Sequence, residues 1–192
     1  MTKDLFEFLN QFVPVSAKDF EELMTQVEEC NYDKRVKLTE IGQVEEYMYF
    51  IIKGLARKYF YKEKEEIITH IVNEGGMIGS GASFLSGLPS RYVVETLEPT
   101  MALRISKERL ENLYSSSKKW EKIGRILTAH FFLIQEFRLL DNIRYSNSER
   151  FIKFMNENPD LVMRVPQKFL ASYLNIKPET FSRLKHLMLT KV

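Results

Sequence analysis

Residues 167–187 read QKFLASYLNIKPETFSRLKHL, and their apolar positions have the spacing of two short helices joined by a tight turn. Asn175 falls in the turn, where the chain needs a residue that tolerates the left-handed α conformation. Pro178 suits the first turn of the second helix, where a backbone N–H is not needed. The second helix then presents polar and charged residues to the outside. This pattern is typical of a helix-turn-helix whose second helix enters the DNA major groove.

The two helices can share one small apolar core. Its expected members are Leu170, Leu174, Ile176, Phe181 and Leu184. Ala171 is small where the helices would cross closely. An ordinary surface pair of helices is the alternative interpretation, and it stays open at this point.

The composition is that of a soluble globular protein, with 192 residues, 44% hydrophobic and 28% charged. No apolar run approaches the ~20 residues that cross a bilayer, and the first residues lack the basic start of a secretion signal. Cys30 is the only cysteine, so it forms no internal disulfide and cannot hold an iron–sulfur cluster. We therefore expect a cytoplasmic protein without a membrane partner.

The net charge of +2 is unevenly distributed along the chain. From Tyr145 onward there are 8 Lys/Arg and 4 Asp/Glu, whereas the preceding residues hold 20 and 22. A mildly acidic body with a basic C-terminal section fits contact with phosphates at that end.

The first half of the chain begins with helical periodicity and then becomes strand-like. Helical periodicity covers residues 5–12 and 17–27, with Ser16 as a candidate N-cap. Strand-like segments follow at 47–53, 55–61, 66–72, 91–97 and 101–105. Seven of the eight glycines lie between Gly42 and Gly87, which indicates a small all-β unit with many turns, a barrel or jelly roll.

A long helix is predicted over Lys118–Arg144, after a short helix opened by Ser106. The long helix carries two apolar stripes, so more than one partner must cover it. We predict a dimer seam at Ile123, Leu127, Ile134 and Phe137, while the second stripe (Ile126, Leu133, Leu140, Ile143) suits packing within the chain. Burial of both stripes within a monomer is the alternative.

Residues 145–148 are polar and lack a regular pattern, which indicates a domain junction. Ser148 is predicted to cap a helix over Glu149–Glu157 that Pro159 ends. The predicted domains are therefore 1–117, the helix 118–144, and 145–192. Few residues follow Leu187, so we expect no β-hairpin wing beside the helix-turn-helix.

This order of elements resembles the catabolite activator / fumarate–nitrate regulator (CRP/FNR) family over essentially the whole chain. The segments that carry the resemblance are EYMYFIIKGLARKYF (46–60), GGMIGSGASFLSGLPSRYVVETLEPT (75–100) and PETFSRLKHL (178–187). The first resembles the family's strand, glycine turn and strand, in which Gly54 would take the turn. The resemblance implies an α+β chain with a cyclic-nucleotide-binding-like jelly roll (a double-stranded β-helix), a long dimerisation helix and a C-terminal helix-turn-helix. It further implies a dimeric, sequence-specific transcription regulator that works with RNA polymerase.

The family's nucleotide pocket has Gly-Glu followed, after a short helix, by Arg beside Ser or Thr. Here the matching positions are Gly79, Ser80, Ser90 and Arg91, so the Glu is absent and the Arg is displaced by one residue. A shift of one residue in a strand turns a side chain to the opposite face. We expect no binding of cyclic AMP in the usual mode, and another small effector or none stays open.

The resemblance also assigns contacts with DNA. Glu179, Ser182 and Arg183 match the base-reading positions and lie at i, i+3 and i+4, on one helical face. The string ETFSR is most similar to the branch that reads TTGA-type half-sites, which predicts a palindrome of such half-sites. Candidate phosphate contacts are Gln167, Lys168, Lys177, Thr180 and Lys185.

An enzyme and a scaffolding module are the two other functional classes to consider. No HExxH, P-loop, GxSxG or paired-carboxylate motif is present, so we expect neither an enzyme with catalytic residues nor a metal site. A ligand-binding or scaffolding module with a vestigial helix-turn-helix is the alternative function.

Overall fold

The computed structural model describes residues 2–189 of the chain, and side chains for residues 3–188. The helices in this range are α1 (Thr2–Asn10), α2 (Ala17–Gln26), α3 (Gly81–Ser86), α4 (Lys107–Ser116), α5 (Lys118–Arg144), α6 (Asn147–Glu157), α7 (Pro159–Arg164), α8 (Gln167–Tyr173) and α9 (Pro178–Leu189). The strands are β1 (Glu28–Tyr32), β2 (Lys37–Thr39), β3 (Tyr47–Lys53), β4 (Ala56–Lys62), β5 (Glu65–Val72), β6 (Met77–Ile78), β7 (Val93–Thr96) and β8 (Thr100–Ser106). The five predicted strands and the long helix are confirmed.

The strands form two four-stranded sheets, in the orders β1-β8-β3-β6 and β2-β7-β4-β5. This β-roll followed by helices confirms the α+β class. Gly54 makes the sharp turn between β3 and β4 with φ +108°, and a Cβ there would lie 2.7 Å from the carbonyl oxygen of Pro99. Only glycine fits this close approach without strain. The turn predicted at Gly54 is therefore present.

Alternation along β3 divides the core of the roll into two clusters. Ile51 points between the two sheets, where it packs with Ala56 and Val94. Phe50 points to the opposite face, which packs against α1, α2, α4 and the start of α5. Trp120, at the start of α5, is 2% exposed in this second cluster. Its indole N–H donates to Glu22 of α2 at 2.9 Å, so the polar end of the ring is satisfied within the cluster.

Residues up to 60 together with 70–130 form one compact unit, and residues 61–69 together with those from 131 onward form another. The division falls inside α5, between His130 and Phe131, rather than at the ends of the helix as in the predicted domains. The tip of the β4–β5 hairpin belongs to the second unit, which is not apparent from sequence order.

The predicted N-cap of α6 is wrong, whereas its predicted end at Glu157 is confirmed. Ser146, not Ser148, is the N-cap, because its hydroxyl and the Glu149 carboxylate form a reciprocal capping box. Pro159 follows the end of α6 and begins α7, since a proline is tolerated where the N–H would be unpaired. The predicted lack of a wing concerns residues after Leu187, of which 190–192 lie outside the described residues.

The predicted cap at Ser16 is confirmed and is tied to α5. Ser16 and Asp19 form a capping box at the start of α2, and Lys119 of α5 pairs with the same carboxylate. The Lys119 hydrogen bond and those from Ser16 lower the pKa of Asp19 to about 2. The ion pair therefore joins the N-terminus of α2 to the long helix.

This depressed pKa predicts an acid-sensitive contribution to stability. Because the folded-state pKa lies below the ordinary value of 3.8, the contribution is complete above that pH and is lost as the pH falls towards 2. The midpoint of thermal unfolding should therefore differ between the wild type and Asp19→Asn above pH 4, and the difference should shrink below it. Lys119→Met should raise the pKa of Asp19 in a carboxyl NMR titration. A difference that stays constant from pH 5 to pH 2 would contradict this account.

Candidate functional site

The turn between α8 and α9 is a well-formed helix C-cap. Asn175 has φ +54°, which confirms the predicted left-handed residue. The N–H of Asn175 donates to the Ser172 carbonyl and that of Ile176 to the Ala171 carbonyl, both at 3.0 Å. These two bonds are the Schellman motif, which satisfies the last carbonyls of α8 and fixes the direction in which the chain leaves it.

One face of α9 is held in the core of the second unit. Phe181 is 1% exposed and packs edge-to-face on Phe151 of α6, with ring centroids 5.1 Å apart. Leu170 and Ala171 of α8 are fully buried, as the sequence pattern predicts for closely crossing helices. This packing fixes the rotation of α9 about its axis.

The opposite face of α9 is open. Glu179, Ser182 and Arg183, the predicted base-reading residues, are all exposed, so the fold brings them together on one helical face. Of the predicted phosphate-contacting residues, Gln167, Lys168 and Lys177 are exposed, whereas Thr180 and Lys185 are half-buried. Gln167 and Lys168 lie at the start of α8, Lys177 directly precedes α9, and Thr180 and Lys185 lie on α9.

The backbone of the hairpin tip is bound by α8. The Ser172 hydroxyl accepts from the Ile68 N–H at 2.9 Å and donates to the Glu66 carbonyl at 3.0 Å. One hydroxyl thus pairs with two backbone groups of β5, as a neighbouring strand would.

Arg138 of α5 strengthens the same junction. Its guanidinium donates to the Thr69 carbonyl and, at 2.9 Å, to the Tyr173 carbonyl, and it stacks over the Tyr173 ring at 4.1 Å. Burial lowers the pKa of Arg138 from its ordinary value, but an arginine stays charged at any physiological pH. Within the second unit, α5, α8 and the hairpin tip are therefore held by charge-assisted bonds that depend on the position of α8.

The second candidate region is the segment around α3 in the β-roll. Ser80 and Ser90 stand where the resemblance expects Glu and Arg, and they are 1% and 3% exposed. Their hydroxyl oxygens lie 2.8 Å apart in a hydrogen bond, and Ser90 also accepts from the Tyr92 N–H at 3.1 Å. Arg91 is exposed in the bend before β7, outside the strand, so the expected shift to the opposite strand face stays a prediction. The two small hydroxyls therefore pair with each other at this position.

A buried carboxylate completes this segment. Glu45 is 2% exposed and accepts hydrogen bonds from the Ser80 N–H at 2.9 Å and from the Thr39 hydroxyl. The Glu45 N–H in turn donates to the Ser83 hydroxyl at 2.9 Å. The amide at the start of α3 is therefore satisfied by the protein itself. A second anion placed beside Glu45 would meet like-charge repulsion in a poorly solvated site.

The third candidate surface is α5, and it corrects the predicted dimer seam. Ile123 is 3% exposed in the core of the first unit, and Leu127 packs against the same cluster, so the α1/α2/α4 side already covers both. Ile134 and Phe137 are 42% and 62% exposed. The other large apolar residues exposed on the second half of α5 are Phe132, Leu133, Leu139, Leu140 and Ile143. We call these seven exposed residues the α5 apolar surface.

Sequence reasoning missed Glu45, Thr39, Ser172 and Arg138. Arg138 could have been found, because a cation in the apolar stretch 131–140 indicates a specific partner. Glu45 and Ser172 are ordinary polar residues in the sequence, and only the approach of distant segments gives them their roles. No group of three His, Cys, Asp or Glu in residues 2–189 is placed to hold a metal ion, and no helix in that range is long and apolar enough to cross a membrane.

Comparison with known proteins identifies the β-roll. Residues 29–117 match the profile of the cyclic nucleotide-binding domain. No curated protein sequence matches the chain.

Solved structures share the fold at low sequence identity. FixK2 from Bradyrhizobium japonicum superposes with a TM-score of 0.74 at 21% identity, over 86% of this chain and 85% of that one. The c-di-GMP responsive global regulator CLP of Xanthomonas campestris gives 0.65 at 17% identity, over 92% and 93%. The catabolite activator protein of Thermus thermophilus gives 0.59 at 15% identity, over 93% and 86%. These likenesses show the fold along most of the chain.

The hydroxyl pair and Glu45 predict that cyclic AMP does not bind. A ligand at a hundred times its dissociation constant would stabilise the folded protein by about 2.7 kcal/mol. We therefore expect millimolar cyclic AMP to leave the thermal unfolding midpoint unchanged, with 5′-AMP as the matched control. A saturable rise with cyclic AMP alone would show that this segment still holds the nucleotide.

Proposed function

We propose that the protein is a dimeric, sequence-specific DNA-binding transcription regulator, because residues 29–117 match the cyclic nucleotide-binding domain and the chain shares the fold of FixK2, CLP and the catabolite activator protein. The observation that carries the proposal is the surface of α9. Its inner face is locked by Phe181 and the Schellman turn, and its outer face presents Glu179, Ser182 and Arg183 to solvent. A rigidly held helix with a polar outer face is what major-groove readout requires.

The three exposed side chains differ in what they can recognise. Arg183 can bind O6 and N7 of guanine with two hydrogen bonds, and Glu179 can accept from N4 of cytosine. Ser182 can donate to or accept from either kind of base. Lys168, Lys177 and the other phosphate candidates position the helix on the duplex without selecting sequence.

The α5 apolar surface supports dimerisation. It lies on the second half of α5, whose first half buries Trp120 and Ile123, and it includes Phe132, Phe137 and Ile143 at 61%, 62% and 77% exposure. A concentration of exposed large apolar residues on one helix indicates an interaction site. We assign it to a second copy of the chain, because apolar stripes on two equivalent helices can pack against each other about a two-fold axis. Two recognition helices would then lie about 34 Å apart and bind a palindrome, for which we propose TTGA-type half-sites.

Control by an effector is the second part of the proposal. The hydroxyl pair of Ser80 and Ser90, together with Glu45, favours a β-roll that is assembled without a bound nucleotide. The regulator would then bind DNA in the absence of cyclic nucleotide. A signal of another kind would act by changing the population of DNA-binding-competent dimers.

Replacement of Arg183 tests base readout. Arg183→Ala should weaken binding to a palindromic site by about 1–3 kcal/mol and relax the preference at one base position. Fluorescence anisotropy with duplexes altered one base at a time measures both effects. Arg91→Ala removes another exposed arginine, one in the β-roll, and is the matched control.

Replacement of Lys185 separates positioning from readout. Lys185→Ala should weaken binding to all sequences alike and reduce by about 1 the slope of log binding constant against log salt concentration, because one phosphate contact is lost.

If Arg183→Ala left both affinity and base preference unchanged, the assignment of α9 as the reading helix would be wrong. The scaffolding alternative predicts that outcome.

Replacement of Phe137 tests the dimer. A carboxylate placed in the α5 apolar surface would lose its hydration at a packed seam, so Phe137→Glu should give a monomer by size-exclusion chromatography with light scattering at micromolar concentration. Leu85→Glu introduces the same charge at a residue on α3 that is also 62% exposed, and it should leave the dimer intact. A wild-type protein that is monomeric at this concentration would overturn the arrangement.

A further inference from the structure

The first unit contains an apolar cavity that is separate from the segment around α3. Its volume is about 90 Å³, and its walls come from α1, α2, α4, strands β3, β6 and β8, and the start of α5. Leu9, Leu23, Phe50, Leu103 and Leu127 are among the residues that line it. The cavity therefore lies on the face of the β1-β8-β3-β6 sheet opposite to the space between the two sheets.

The walls of the cavity contain few groups that can form hydrogen bonds with water. Two lining residues with polar side-chain atoms are Trp120 and Tyr114, and the indole N–H of Trp120 already donates to Glu22. Burial, and to a smaller extent the charge of Glu111, raise the pKa of the Tyr114 hydroxyl. An ordered water needs two to four polar partners, so a pocket with walls of this composition offers water few hydrogen bonds. Its lining atoms then lack contacts that an apolar occupant would supply.

We propose that this cavity is a binding site for a small, uncharged apolar molecule of the size of xenon or a short hydrocarbon. An engineered cavity of about 150 Å³ with similar Leu, Ile and Phe walls binds benzene and xenon, and the smaller volume here selects the smaller ligands. The gain on binding is dispersion contact with the walls, without loss of hydrogen bonds by the ligand. This ligand class differs from the charged nucleotides of the cyclic nucleotide-binding domain.

The long helix forms part of the site. Ile123, Gly124 and Leu127 of α5 line the cavity, and Tyr114 of α4 packs directly on Gly124. A Cβ at Gly124 would lie 2.3 Å from the Tyr114 hydroxyl oxygen, so the glycine makes room for the tyrosine ring at the wall. An occupant would therefore contact both α4 and α5.

The test is methyl NMR of the full-length protein under increasing xenon pressure. We expect saturable shifts for the methyl groups of Leu9, Leu23, Ile123 and Leu127, and none for Ile51 between the sheets. Leu127→Phe, which fills the cavity from a half-buried position, should abolish the saturable shifts. Ile134→Phe, on the exposed part of the same helix, should retain them.

A second variant keeps the test independent of how well Leu127→Phe folds. Leu9→Ala enlarges the cavity, so benzene should raise the thermal unfolding midpoint of this variant more than that of the wild type. Xenon shifts that do not saturate, or that persist unchanged in a folded Leu127→Phe protein, would overturn the proposal. These readouts do not involve DNA, so they fail or succeed independently of the proposed DNA binding.

Discussion

The continuity of α5 is the constraint on which the rest of the structure depends. The helix runs for 27 residues, about 40 Å, and its two halves lie in different compact units. Trp120 and Ile123 anchor the first half in a core with α1, α2 and α4, while the second half leaves Phe132, Phe137 and Ile143 in solvent. A helix that is apolar beyond its covered face needs a further partner, and in the proposed regulator a second copy of the chain is that partner.

The β-roll has the architecture of the cyclic nucleotide-binding domain, but the polar groups around α3 are paired with each other. The family uses a carboxylate and a guanidinium to hold the ribose and the phosphate, whereas here two serine hydroxyls are hydrogen-bonded to each other. The Glu45 carboxylate accepts a hydrogen bond from the Ser80 N–H at the start of α3, so hydrogen bonds within the protein hold this segment together.

The local chemistry of the sequence predicts the fold well where a single residue decides the backbone. Gly54 and Asn175 were identified as turn residues, and both have positive φ. The exposed face of α9 follows from helical spacing alone. The N-cap of α6 is misassigned although the sequence carries the signal, because Ser146, and not Ser148, stands three residues before Glu149, which is the spacing of a capping box. The dimer seam was misassigned for another reason: periodicity finds apolar stripes but does not say which part of a stripe the rest of the chain already covers.

The candidate sites show the same limit. Arg183 and its neighbours could be predicted because one helix presents them, whereas Glu45 and Ser172 form hydrogen bonds with segments 35 and about 100 residues away in the chain.

The central claim, that two copies of α9 read a symmetric DNA sequence, is tested most directly by selecting bound duplexes from a random library with the full-length protein and sequencing them. We predict an enriched palindrome with half-site centres about 10 base pairs apart. Recovery of no common sequence, or of a single unrepeated half-site, would contradict it.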